Sequence, residues 1–282
     1  MRARYKPGIS STATTVILTI VMWMLALAFL VPLGWMLSSS LKIDLAVFKS
    51  PPQWFPEYIA WENYFKVWFG PNSLGRYLAN SVIVASVSVF GELVTSALAG
   101  YAFARLSFPM RERLFALFVA TAIVPIQLLL VPRFVLFKQF GLYDTLWALI
   151  LPGIFTVFGT FLMRQTFASM PAELGESPKV DGATEWQIFY GIYLPLARPA
   201  LAALAILAFV SSWNSYESPL VMLSDPNKMT IPLGLTLMSD ESGGLSPGTA
   251  MAAAVSSILP VLAIFILAQR HFIAALSRSG IK

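Results

Sequence analysis

The sequence predicts an all-α integral membrane protein, on three observations. Hydrophobic residues make up 57% of the 282 positions and charged residues only 12%, about half the charged share of soluble domains. Six apolar segments each approach or exceed the roughly 20 residues needed to cross a bilayer. Their runs are continuous rather than alternating, and too long for barrel strands, so each satisfies its own backbone as a helix.

The first apolar run, about 14–37, follows Arg2, Arg4 and Lys6. That order imitates a signal peptide, but the run is too long for one and no small-residue cleavage site follows, so it reads as an uncleaved first span. A loop over about 38–76 carries Trp54, Trp61 and Trp68 among prolines and charges, a composition suited to the headgroup level. The second span, 78–104, contains Glu92, and the third, 113–131, and fourth, 145–167, follow after short basic connections. A polar stretch occupies 171–198, and the fifth and sixth spans lie at 199–222 and 249–273. Prolines at 32, 125, 152, 219 and 260 fall inside or near the ends of spans, where proline kinks a helix. The whole of 1–282 reads as one transmembrane domain.

Lys and Arg set the orientation. With both termini on one side, that side collects twelve of the nineteen basic residues in short loops, against seven on the other. Both termini are therefore expected in the cytoplasm, together with the 171–198 stretch. The same scatter of basic residues forms no continuous patch for nucleic acid. With no cysteine and a single histidine, His271, thiol chemistry and a His cluster are excluded. Neither a Gly-x-x-x-x-Gly-Lys-Ser/Thr loop nor Gly-x-Gly-x-x-Gly occurs, so the chain has neither device for holding a nucleotide, and no catalytic or metal-ligating set stands out.

The 171–198 stretch has the parts of a stiff connector. Residues 173–180 and 183–193 are helix-compatible, separated by Asp181-Gly182, where glycine admits a left-handed backbone. Asp181 and Thr184 are candidate caps for the second piece, with Glu185 in its first turn. Val180, Ile188, Phe189 and Ile192 give it an apolar face, and Pro195 and Pro199 punctuate the start of the fifth span. Gly175 and Pro178 weaken the first piece, which is expected to break or to restart with Ser177 as cap and Pro178 as first helical residue.

The spacing of Glu176, Gly182, Ile192, Leu194 and Pro195, with Asp181-Gly182-Ala183 between, resembles the Glu-Ala-Ala coupling loop by which permeases of ABC importers grip a separate ATPase. Glu176-Ser177-Pro178 departs from the usual Glu-Ala-Ala. Further stretches narrow the resemblance: Asn80-Ser81, Ala99 to Pro109, Trp213-Asn214 with Pro219-Leu220, Leu259-Pro260, and Gln269 to Phe272 are similar to the smaller permease of carbohydrate importers of the maltose/glycerol-3-phosphate type. The resemblance implies the type I importer fold, with six spans and a cytoplasmic coupling helix, in a bacterial or archaeal plasma membrane. It also implies a second, non-identical permease, two ATPase subunits binding ATP and magnesium, and an extracytoplasmic solute-binding protein that delivers a sugar. Ser279 and Gly280 then occupy the place of a tail that reaches the ATPase.

Acids inside spans mark wet interiors, and Glu92 and Glu217 are the two present. Glu217 stands among Trp213, Asn214 and Ser215, with Asn214 and Glu217 placed on one face by helical spacing; with Gln127 these are the candidate solute contacts, able to meet sugar hydroxyls and the apolar faces of a sugar ring. The family usually has an acidic residue at the place of Ser215 and an apolar one at that of Glu217. Glu92 reads as structural or as a contact to the partner permease. The alternative function is an ion-coupled secondary transporter acting without an ATPase, but no internal repeat is evident.

Overall fold

A computed structural model describes residues 12–70, 73–238 and 246–279. In chain order the helices are α1 (Thr12–Ser40), α2 (Asp44–Val47), α3 (Glu62–Phe69), α4 (Leu74–Arg105), α5 (Arg111–Ala120), α6 (Leu130–Gln139), α7 (Trp147–Ile154) and α8 (Val157–Ala168). They continue as α9 (Glu173–Val180), α10 (Glu185–Ile188), α11 (Leu194–Leu196), α12 (Arg198–Trp213), α13 (Glu217–Met222), α14 (Ile231–Met238) and α15 (Pro247–Ser279). No strand occurs among the described residues.

Thr14–Ser40, Leu74–Arg105 and Trp147–Ala168 are each long and apolar enough to cross a membrane. Two further helix pairs reach that length and apolarity only when joined, and both are bent. The third span, expected as one run over 113–131, turns by 87° between Arg111–Ile123 and Ile126–Gln139. The cause is Pro125, which has no N–H to give, preceded by Val124 held extended at ψ 114. The fifth expected span, 199–222, ends as a helix at Trp213; Asn214 closes it by returning its side-chain amide to the Val210 carbonyl at 2.9 Å, and α13 restarts at Glu217. The last apolar helix, α15, contains the apolar stretch Pro247–Ala263.

Helix α4 is central and packs on α7, α8 and α12, while α1 lies along α15. Close approach between α4 and α8 depends on small residues, as in membrane helix pairs generally. A Cβ on Gly100 would stand 2.6 Å from the Met163 Cβ and 2.8 Å from the Arg164 nitrogen, and one on Gly159 would meet the Ser96 hydroxyl. Two cores flank this seam. One gathers Tyr77, Trp213, Ile231 and Ala252; the other gathers Tyr101, Met163, Phe167, Phe189 and Tyr193 beneath the 171–198 segment. No side chain in the apolar window of α1 is buried, so in this chain it presents hydrocarbon outward on nearly all sides.

At the end opposite the 171–198 segment, Asp144 ties two connections together. Its carboxylate accepts from the Ser224 and Asp225 backbone N–H groups at 2.9 and 3.0 Å and from Lys228 Nζ at 2.8 Å. Burial alone would raise its pKa, but these three donors outweigh it and hold it at about 2.

Candidate coupling surface and solute cavity

The 171–198 segment is a crosswise element fixed at both ends. Helix α9 runs unbroken from Glu173 through Pro178 to Val180, against the expectation that it breaks or restarts at Ser177. Pro178 removes one bond, that to the Leu174 carbonyl, while its own carbonyl still accepts. That carbonyl takes the Ala183 N–H at 2.9 Å and the Lys179 carbonyl takes the Gly182 N–H at 3.1 Å, the paired closure of a helix by a left-handed glycine. Gly182 has φ +83° with open space around a would-be Cβ, so the backbone conformation and not crowding requires glycine here. Asp181 ends α9 and does not cap the next helix. Thr184 caps α10 alone, in a reciprocal box with Gln187.

Beyond α10 the chain passes through a π turn, Phe189–Tyr193, into α11. Pro195 and Pro199 strip two consecutive turns of a donor each, and the stretch Glu185–Leu196 meets Arg198–Trp213 at 72°. The connector therefore lies nearly perpendicular to the fifth span.

Its two faces differ. The inner face buries Ile188, Phe189 and Tyr193 against Tyr101 of α4 and Phe167 of α8, with ring centroids 4.9 to 6.3 Å apart. Gly175 brings α9 against the Tyr193 hydroxyl, which a Cβ would meet at 3.0 Å. Arg105, at the end of α4, lies over the Tyr193 ring and donates to the Phe167 carbonyl at 2.5 Å and to the Met170 carbonyl. Polar anchoring comes from Glu185, whose carboxylate accepts from the Tyr101 hydroxyl at 2.9 Å and pairs with Lys179 at 2.5 Å. Burial would raise the Glu185 pKa; the bonds from Lys179 and Tyr101 overcome that and lower it. Ala183 and Leu194 pack on the edge of this core, and Ile192 and Pro195 are half-buried.

The outer face carries exposed Glu176 and Asp181 together with Val180 (89% exposed), Trp186 (60%) and Tyr190 (57%). The rings of Trp186 and Tyr190 stack at 5.8 Å. Of the four residues expected to form one apolar face, Ile188 and Phe189 turn inward, Val180 turns outward, and Ile192 lies between. Sequence reading missed Trp186 and Tyr190; four residues apart on a helix otherwise turned inward by Ile188 and Phe189, they were legible as a second apolar edge. Of the tail, Ser279 closes α15, and Gly280 lies outside the described residues.

The solute candidates are dispersed. Trp213 is packed in the core, stacked on Phe209 at 5.2 Å. Asn214 and Glu217 do not share a helical face, because α12 ends at Trp213, α13 starts only at Glu217, and the Asn214 amide is spent on the helix end. Glu217 instead accepts from Gln127 at 3.3 Å, linking the bend of the third span to α13. Ser215 alone of the five lines the half-open cavity of about 500 Å³ bordered by α4, α6, α7, α8, α12 and α13. Glu92, Ser88, Thr156, Arg133 and Thr230 also border it, with the Ser88 and Thr230 hydroxyl oxygens themselves buried. Glu92 accepts the Thr156 hydroxyl at 2.5 Å. Its position was readable in the sequence as a polar stripe at 88, 92 and 96, spaced four residues apart on one face of α4.

Residues 93–278 match the family of binding-protein-dependent transport system inner membrane components. The chain is 34% identical over 227 residues to an arabinooligosaccharide transport permease, AraQ, of Halalkalibacterium halodurans, covering 80% of this chain and 81% of that one. It is 31% identical to the diacetylchitobiose uptake permease NgcG of Streptomyces coelicolor, over 92% of this chain and 85% of that one. Against the lactose permease LacG of Rhizobium radiobacter it is 38% identical over 69% and 71% of the two chains. A solved bacterial ABC transporter that imports the acidic polysaccharide alginate superposes with TM-score 0.81 at 23% identity, over 92% of this chain and 96% of that one; it carries the fold. A multi-pass helical chain with a crosswise connector and these relatives belongs to the binding-protein-dependent transport system inner membrane components, as a permease subunit of an ABC importer.

Proposed function

We infer that the chain is the smaller permease of a bacterial or archaeal plasma-membrane importer for a neutral sugar or sugar derivative, and that ATPase closure drives its alternating access through the 171–198 segment. Both termini and that segment face the cytoplasm, by the excess of Lys and Arg in the loops on their side. A second, non-identical permease completes the path, two ATPase subunits supply ATP and magnesium, and an extracytoplasmic binding protein delivers cargo. The relatives named for arabinooligosaccharides, diacetylchitobiose and lactose support the cargo class.

The observation that carries the coupling role is the two-faced connector. Its inner face is locked to α4 and α8 by Tyr101, Phe167, Arg105 and Glu185, while its outer face leaves Trp186, Tyr190 and Val180 in water. A force applied at the outer face passes into α4 through packed rings and through the 72° junction into α12. Exposed stacked aromatics are the residue type that anchors protein contacts. Glu176 and Asp181 give that face an acidic rim, and Ser279 and Gly280 add a tail contact to the same partner.

Purification from native membranes tests this reading. The chain is expected to bring down an ATP-binding protein and a second permease, and uptake by the source cells is expected to stop on ATP depletion. Recovery of the chain alone, with uptake indifferent to ATP, overturns it.

A further inference from the structure

We propose that the fourth span carries a hinge at Phe155-Thr156, and that Glu92, Thr95 and Ser96 of α4 are positioning residues that hold it in one setting and accommodate it in another. In this way α8 follows the connector while α7 stays with the outer end of the bundle. The proposal rests on the coupling reading above and adds to it the place in this chain where the motion is taken up.

The first observation is a break without a corner. Trp147–Ala168 qualifies as one crossing, yet its helix stops at Ile154 and starts again at Val157, with Phe155 and Thr156 extended at ψ 106 and 140. Pro152 lies inside α7, and the helix runs on through it to Ile154, so proline does not by itself place the gap. Two extended residues within a span free backbone groups that hydrocarbon cannot satisfy, and such breaks persist where neighbouring side chains take them up. Here α4 does so. Thr95 Oγ1 donates to the Ile154 carbonyl at 2.5 Å, and Thr156 Oγ1 accepts the Gly159 N–H at 3.1 Å while donating to Glu92 at 2.5 Å.

The second observation is that α4 holds a second partner for each of its bonds. Thr95 Oγ1 also lies 3.3 Å from the Glu92 carbonyl one turn back, the kind of acceptor a threonine uses within its own helix. Ser96 is fully buried and its hydroxyl has no hydrogen-bond partner among the described residues. A Cβ on Gly159 would meet that hydroxyl together with the Thr156 hydroxyl at 2.7 Å and Glu92 Oε1 at 3.0 Å. Ser96 is therefore an unused donor beside the acid that Thr156 now bonds. When the span parts from α4, Thr95 turns to the Glu92 carbonyl, Ser96 replaces Thr156 on the carboxylate, and the Ile154 carbonyl accepts the Phe158 N–H of a mended helix. Both settings leave these groups paired, which is what makes such an element bistable.

The third observation is attachment. Met163 and Phe167 of α8 are fully buried in one core with Ile188, Phe189 and Tyr193 of the connector. The start of α7 follows Asp144, which is clamped to Ser224, Asp225 and Lys228. A push at the connector reaches α8 directly, while the clamp retains α7.

Spin labels on Trp147→Cys and Gln165→Cys, in a chain with no cysteine of its own, measure the span end to end in the complete importer. Val82→Cys with Val94→Cys measures the unbroken α4 as control. Two extended residues are longer than two helical ones by about 4 Å in total. The 147–165 distance is expected to differ by about that amount between the nucleotide-free and vanadate-trapped complex, with the control distance constant. Ser96→Ala removes a hydroxyl that bonds nothing in this setting, so its thermal midpoint is expected to stay level or rise. Its ATP turnover in the reconstituted complex is expected to fall roughly three- to tenfold, with the KM for ATP unchanged. Glu92→Gln keeps an oxygen acceptor and is expected to retain most of the turnover that Glu92→Leu loses. A merely structural role gives the opposite pattern: parental turnover in Ser96→Ala, or a lowered midpoint in Glu92→Leu with turnover per folded complex unchanged. Either result overturns the proposal. An equal 147–165 distance in both states sinks the hinge alone, whereas a complex that retains no vanadate-trapped ATPase sinks the coupling reading and the hinge with it.

Discussion

Glu185 and Tyr101 form the polar contact between the connector and α4, and their joint removal isolates what that contact contributes. The Tyr101 hydroxyl donates to a Glu185 oxygen at 2.9 Å. A hydrogen bond to a charged group contributes about 1.5–3 kcal/mol when shielded, but the Glu185 side chain is 42% exposed, so solvent reduces this to about 1 kcal/mol. Tyr101→Phe keeps the ring against Phe167, Phe189 and Tyr193, and Glu185→Gln keeps the shape. Each variant is expected to destabilise the chain by about 1 kcal/mol, with a further fraction for Glu185→Gln through its exposed Lys179 pair. The double variant is expected to cost little more than Glu185→Gln, a coupling of about 1 kcal/mol, which is the signature of direct contact. Thermal unfolding in detergent measures the cycle, and ATP hydrolysed per solute imported, measured on the reconstituted complex, reports its effect on force transmission. That ratio is expected to rise in both single variants. Strict additivity of the two effects, or an unchanged ratio, refutes the claim that this contact holds the connector to the bundle.

Three further outcomes follow from the geometry. Gly182→Ala has space for its methyl but must hold φ +83°, so it is expected to cost about 1 kcal/mol in thermal stability, and a neutral result contradicts the left-handed closure of α9. Gly100→Leu places atoms against the Met163 and Arg164 backbone; overpacking of about 1–3 kcal/mol is expected to lower the thermal midpoint and to raise the ATP cost per solute, because α4 and α8 carry the connector. Asp144, held at about 2 against 3.8, has a depressed folded pKa, so its contribution is present above about pH 4 and fades as pH falls towards 2. A shift of this size is about 2.4 kcal/mol before screening and about 1 kcal/mol after it. An acid titration of Asp144→Asn against the parent is therefore expected to show a stability gap at neutral pH that closes below about pH 4, and a gap independent of pH contradicts the clamp.

Fold class and the outline of the connector were legible in the sequence because they rest on run length and turn chemistry. The apolar segments announce helices by continuity, and Asp181-Gly182, Thr184 and Pro195 announce their boundaries by local rules. What escaped was tertiary. Proline at 125 implies a kink by local rules, and the structure makes it an 87° corner. Local rules expect a break or a restart at Ser177-Pro178, yet α9 runs through, with its C-terminal closure and the Gly175 contact with Tyr193 fixing the helix from outside. Asn214 and Glu217 were joined by helical spacing across a point where the helix ends. A lone acid in an apolar run reads as structural or as a contact to a partner permease and says nothing of a cavity beside it; only with α7, α8 and α12 in place do Ser88 and Glu92 line one.

The outward placement of Val180, Trp186 and Tyr190 is the central claim, and the natural absence of cysteine makes it directly measurable. Single variants Val180→Cys, Trp186→Cys and Tyr190→Cys, with Ile188→Cys as a buried control, carry a short thiol-reactive photo-crosslinker in native membranes. Crosslinks to an ATP-binding subunit from the three outer positions and not from 188 are the result expected, with their yield changing when ATP is trapped by vanadate. Crosslinks only to lipid or to the partner permease from 180, 186 and 190 contradict the account.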